Sequence, residues 1–172
     1  KMLAPYFGTS HFVWTAQIAV TLVSLAAGYY VGGRLVDRTQ ELSRLYGAIL
    51  LAAVYLCIAT PLVRPVSFAC LKSGLALGSL LTSTFLFFVP LMLLAMVGPF
   101  FVRVLTSSVG EVGGNVGRLT AVSTAGSFLG TLLIGYLLIP HFRNSVTMFV
   151  TAGVLMLVAL GLSVLRRKKV GT

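Results

Sequence analysis

Hydrophobic positions in this chain do not alternate with polar ones. They run together in five uncharged stretches, roughly His11–Gly33, Leu45–Val63, Ser73–Val102, Leu119–Ile139 and Ser145–Leu165, and the charged residues fall in the gaps. Each stretch approaches or exceeds the ~20 apolar residues that cross a ~30 Å hydrocarbon core as a helix. In lipid only helices or closed barrels satisfy every backbone group, and continuous rather than alternating runs select helices. The pattern predicts an all-α, polytopic transmembrane bundle forming one domain over residues 1–172, with five spans.

Punctuation refines these elements. The third run, thirty residues between Lys72 and Arg103, would reach about 45 Å at 1.5 Å per residue, so it must tilt, protrude or bend. Pro90 marks the expected kink and Pro99 lies near the far end. Splitting the run into a hairpin leaves two segments of about 15 residues, each short for a crossing. The second span is predicted to end at Arg64-Pro65, since a proline disfavours helix at the residue before it, leaving an outer loop to Lys72. Gly33–Leu45 reads as a short turn with a helical piece at Gln40–Leu45. Thr106–Arg118, the most glycine-dense segment, reads as a flexible connection. Its GEVGGNVG run is not a dinucleotide fingerprint, because its glycines lack the n, n+2, n+5 spacing and no strand precedes them.

Composition agrees: 58% hydrophobic and 9% charged residues, with mean hydropathy +1.01, set the chain far from a soluble domain, where about a quarter of residues are charged. The net charge of +10 raises nucleic acid as a partner, but the distribution of the cations answers otherwise. With the Gly33–Leu45 loop inside, nine of the thirteen Lys and Arg fall on that side: Arg34, Arg38, Arg44, Arg103, Arg118 and Arg166 to Lys169. Four (Lys1, Arg64, Lys72, Arg143) fall on the other. The positive-inside rule then puts the N-terminus outside and the C-terminus in the cytoplasm, as in a bacterial inner membrane. The basic excess serves topology and attraction to anionic headgroups of the lipid bilayer; no basic face is interleaved with aromatics, so nucleic acid is not expected. Cys57 in the second span and Cys70 in the loop beyond it sit at different depths, which disfavours a disulfide and gives no metal spacing.

Small residues form two stripes. Ser24, Gly28 and Gly32 recur at i, i+4 in the first span; in the fourth, Ser123, Ser127, Thr131 and Gly135 do the same beside the pair Gly126 and Gly130. Such stripes let helix backbones approach closely where apolar burial cannot drive association, either inside one bundle or against a partner or second copy. No Asp, Glu, Lys or Arg lies in the middle of a span, which argues against a carboxylate-driven proton carrier. Gln17 with Thr21 on one face of the first span is the best pore-facing candidate, an interhelical hydrogen bond being the other use. His11 and His141 both lie at the outer boundary with Tyr6, Trp14 and Phe142, as interfacial anchors. A metal site would need a third ligand, and no nucleophile, histidine and acid set can be assembled, so neither metal, cofactor nor enzymatic chemistry is expected. Arg103, Glu111 and Arg118 on the inner side are candidate docking residues.

At Gly33-Arg34-Leu35-Val36-Asp37-Arg38 the chain resembles the inner loop between the second and third helices of major facilitator transporters, with Gln40 where a second glycine is usual. LAPYFGTSHFVW at Leu3–Trp14 running on to GYYVGGRLVDR, MVGPFFVRV at Met96–Val104 and STAGSFLGTLLIGYLLIP at Ser123–Pro140 extend the likeness. Together they resemble the membrane part of the fused major facilitator/spermidine synthase family, over nearly the whole chain. The resemblance implies a half-facilitator bundle with an initial helix preceding Lys1, six spans with both ends inside. It also implies a role for Gly33, Asp37 and Arg38 in the inner-loop pattern, and a cytoplasmic aminopropyltransferase-like partner domain. The synthase half itself is not in this sequence: RRKKVGT follows Leu165. The expected roles are a scaffold for a protein partner, a homodimeric facilitator-like carrier of polyamines or other small solutes, or an assembly subunit of a larger membrane complex.

Overall fold

The computed structural model describes residues 3–38, 41–106, 110 and 112–170, with side chains described as far as 164. Within them the chain is 92% helix, with no strand. After a short turn of helix at Ala4–Phe7 come five long apolar helices: His11–Arg38, Leu42–Leu71, Leu75–Leu105, Val112–His141 and Asn144–Val170. The chain is an integral membrane protein of the multi-pass helical class by the length and composition of these helices.

The helices run past the ends that punctuation predicts. The first continues to Arg38, so Gly33, Asp37 and Arg38 occupy its last turns rather than a loop. The second passes through Pro61 and Pro65 to Leu71, and Cys70 therefore lies on a helix. A proline ring removes one N–H and crowds the carbonyl four residues back. Here both prolines sit on the exposed side of the helix, away from its packed face, which runs through Ala52, Ala59, Val63 and Ser67. Cys57 and Cys70 are free thiols, both half-buried. The turn that follows is only Lys72-Ser73-Gly74, with Gly74 at φ +88°, a conformation open to glycine at little steric cost. Helix also claims the far part of the glycine-rich connection, from Val112 onward; Glu111 and Gln40 lie outside the described residues.

The third helix is a single element rather than a hairpin. Its bend device is a π-helical turn, Thr84–Phe88, set just before Pro90. Past it, the helix is interrupted at Met96 and resumes at Val97–Leu105 with Pro99 in its first turn. In the π register the donor for the Phe85 carbonyl is residue 90, a proline with no N–H. The Tyr55 hydroxyl, from the second helix, donates to that carbonyl at 2.5 Å. The fourth helix repeats the arrangement: a π turn at Leu133–Leu138 precedes Pro140.

Packing centres on the second and third helices. The fifth lies along the second through Thr147, Ala152 and Ala159, and the first lies along the third. One apolar cluster joins Leu3, Phe7, Val13, Ala59, Val63 and Leu86 toward the end that the cation count expects outside, here termed outer; a second joins Val36, Leu45, Ile49, Phe100 and Ala159 toward the opposite end, termed inner. The fourth helix stands apart: none of its residues is buried, and its principal neighbour is the Val97–Leu105 end of the third. Asn115 ties that junction by donating to the Leu105 carbonyl at 3.0 Å.

Candidate functional site: a lateral groove beside the fourth helix

The two small-residue stripes meet different fates. In the first helix Ala16, Val20, Ser24, Gly28, Gly32 and Val36 form an unbroken buried ridge at four-residue spacing. A Cβ at Gly28 would press on the Met92 carbonyl and lie 2.5 Å from Ala95 Cβ; one at Gly32 would lie 2.7 Å from Met96 Cα. The two backbones thus approach as only glycine permits, and the Ser24 hydroxyl stays out of the way by donating to the Val20 carbonyl at 2.6 Å. On the fourth helix Ser123, Ser127 and Thr131 are exposed, and a methyl added at Gly126, Gly130 or Gly135 would meet no atom within 4 Å. Identical spacing packs in one helix and stands open in the other.

Because the fourth helix touches the bundle chiefly at its inner end, a groove of about 1120 Å3 lies between it and the first and third helices. Leu25, Tyr29, Gly33 and Asp37 line one wall at steps of four; Leu91, Leu94, Val97 and Phe101 supply the apolar floor. Thr120, Ser123, Thr124 and Ser127 place hydroxyls on the opposite wall. Asp37 and Arg103 line the inner mouth, and the ion pair found among the described residues is elsewhere, Glu41 with Arg44 at 3.6 Å and largely exposed. Such an exposed pair contributes little. The groove offers an apolar length with a charged end and no cluster of metal ligands among the described residues.

The residues singled out in the sequence distribute around this groove unevenly. Gly33, Asp37, Arg103, Ser123 and Ser127 line it; Arg38 and Arg118 do not. Gln17 and Thr21 lie outward of it, in a shallow cleft of about 220 Å3 with Trp14, Ile18 and Leu22. Their positions continue the groove-lining series of the first helix outward by the same four-residue step. Thr21 donates its hydroxyl to the Gln17 carbonyl at 2.8 Å, leaving the Gln17 amide free among the described residues. His11 stacks against Phe12 at 4.0 Å between ring centres, and His141 contacts the Leu137 carbonyl through Nδ1 at 2.9 Å.

Sequence reasoning missed Tyr55 and Ser67. Tyr55 had a legible signal, a tyrosine in the middle of an expected span rather than near its ends; Ser67 was hidden by the loop expected there. Ser67, Thr82 and Ser83 are buried hydroxyls with no hydrogen-bond partner among the described residues. Near the end of the first helix the Arg34 guanidinium lies 4.3 Å from the Tyr30 ring centre, a cation over an aromatic face.

This constellation defines a multi-pass helical membrane protein with one laterally open flank. No family model, curated protein or solved structure matches the chain.

Proposed function

We propose that the chain is a non-catalytic integral membrane subunit that serves as scaffold or anchor for a protein partner. The observation that carries this reading is the fourth helix, which buries no residue in the bundle yet bears a stripe of small residues suited to close helix contact. Arg103 and Arg118 mark the inner side as the docking face, with the cytoplasmic assignment following from the cation count. A half-facilitator character, akin to the membrane part of spermidine synthase-like fusions, and a bacterial inner-membrane location belong to the same proposal. Photo-crosslinking residues placed at Arg118 and, as a control, at Arg143 test it in native membranes. One discrete adduct at the inner position and none at the outer is expected; absence of any adduct at the inner position refutes the scaffold.

A second reading, a half-size carrier of polyamines or other small solutes acting as a dimer, is favoured by one observation. The groove runs along the first helix from Leu25 to Asp37, with Asp37 and Arg103 at its mouth. Proteoliposomes holding this protein alone decide: saturable uptake supports the carrier, and silence across polyamines and amino acids removes it.

A further inference from the structure

Two unpartnered polar groups lie the same number of residues from helix ends on one side of the bundle. The first is the Gly135 carbonyl. Ile139 gives its N–H to Ile134, and Pro140 has none to give, so neither the α nor the π donor reaches Gly135. No described side chain donates to it either, and the missing Cβ leaves it open to approach. The matching carbonyl in the third helix, Phe85, likewise five residues before a proline, is satisfied by a hydroxyl from another helix, Tyr55. The second group is the Gln17 side-chain amide. Gln17 lies as many residues from His11, where the first helix begins, as Gly135 lies from His141, where the fourth ends. That is about 9 Å of helix in each case. Both ends sit at the same end of the bundle, where Val13 and Met148 meet in one cluster. In hydrocarbon a donor and an acceptor left bare are each costly, and each is what the other lacks.

We propose that two copies of this chain associate side by side in the membrane, the Gln17 amide of each donating to the Gly135 carbonyl of the other. A two-fold axis along the membrane normal preserves depth, so equal depth of donor and acceptor is the condition such a pair must meet, and the contact forms twice. The first and fourth helices run in opposite directions, so Thr21 of one copy then faces Thr131 of the other, one turn further in on each stripe. Gly130 and Gly126 permit the backbones to close. Pairing within one chain would require the fourth helix to swing, against the junction that Asn115 and the third helix hold at its inner end. The second copy takes up the Gly126 to Gly135 part of the stripe and leaves Arg103 and Arg118 to a partner on the inner side, so the pairing needs only this protein.

The experiment uses purified protein in lipid nanodiscs, with Cys57 and Cys70 replaced by Ala. Copies carrying Thr21→Cys and one tag are mixed with copies carrying Thr131→Cys and another, then oxidised. A disulfide-linked dimer bearing both tags is expected. A second measurement, dimerisation in vesicles by energy transfer, reads Gln17→Leu as an about ten-fold loss of association for two lost hydrogen bonds. In a Pro140→Ala background, where the N–H of residue 140 is restored to the helix, the same Gln17→Leu change is expected to cost less than about two-fold. Linked dimers bearing one tag only, no linkage at all, or an unchanged Gln17→Leu effect on Pro140→Ala would each overturn the proposal.

Discussion

Gly28→Ala is the sharpest test of how the first and third helices meet. The added methyl would fall onto the Met92 carbonyl and within 2.5 Å of Ala95 Cβ, and carbonyl backbone does not rotate aside as a side chain does. The helices must therefore separate by about 1 Å, loosening the ridge from Val20 to Val36 along with it. Overpacking of this kind costs about 1–3 kcal/mol, partly offset by the up to ~1 kcal/mol that replacing a mid-helix glycine with alanine recovers. A net loss of about 1–2 kcal/mol is expected, several-fold to thirty-fold in the folded ratio. Gly33→Ala, one residue round the helix from Gly32 with nothing within 4 Å, is the matched control: it gains the same propensity and meets no neighbour. Reversible unfolding in mixed micelles, followed by circular dichroism and by fluorescence of Trp14, measures both. Equal stability of the two variants would refute the close-backbone argument, because it would mean the space at Gly28 is not what holds the helices together.

Tyr55→Phe is expected to destabilise the bundle by about 1 kcal/mol, since it strands the Phe85 carbonyl, and to cost markedly less in a Pro90→Ala background; a double-mutant cycle in micelle unfolding reads the coupling. Gly130→Ala should leave the unfolding midpoint of the isolated chain unchanged within about 0.5 kcal/mol, because its methyl meets open space, and a loss beyond about 1 kcal/mol would mean that the fourth helix packs on the bundle after all. Cys57 and Cys70 should both react with maleimide after denaturation without prior reduction, and a shift in mobility on reduction would contradict two free thiols.

The existence of the five helices was legible because lipid tolerates no unsatisfied backbone, so the length of an uncharged run nearly dictates an element. Their ends were less so. Charged residues read as loop markers, yet Arg34, Asp37 and Arg38 finish a helix. Long side chains can reach the headgroups from helical positions, so charge marks depth rather than chain reversal. Pro65 misled for a related reason: a proline on an unpacked face need not end a helix. Pro90 signalled trouble in the third helix but not its form, since the choice between a kink and a π turn depends on what can serve the freed carbonyl, and Tyr55 is 30 residues away in sequence. The stripes of small residues were equally plain in the first and fourth helices, and only the tertiary arrangement separates the packed one from the open one.

The tight reversal at Lys72–Gly74 has a consequence for biogenesis. With so few residues between them, and with the Cys70 carbonyl already where a methyl at Gly78 would have to be, the second and third helices form a hairpin whose halves recognise each other locally. Such a pair can enter the membrane as one unit, with Pro90 and the hydroxyls of Ser67, Thr82 and Ser83 buried as the hairpin closes while Pro61 and Pro65 stay on its outer face. The fourth helix, with none of its residues buried, has no such companion, and its small-residue stripe is the surface that lipid meets first.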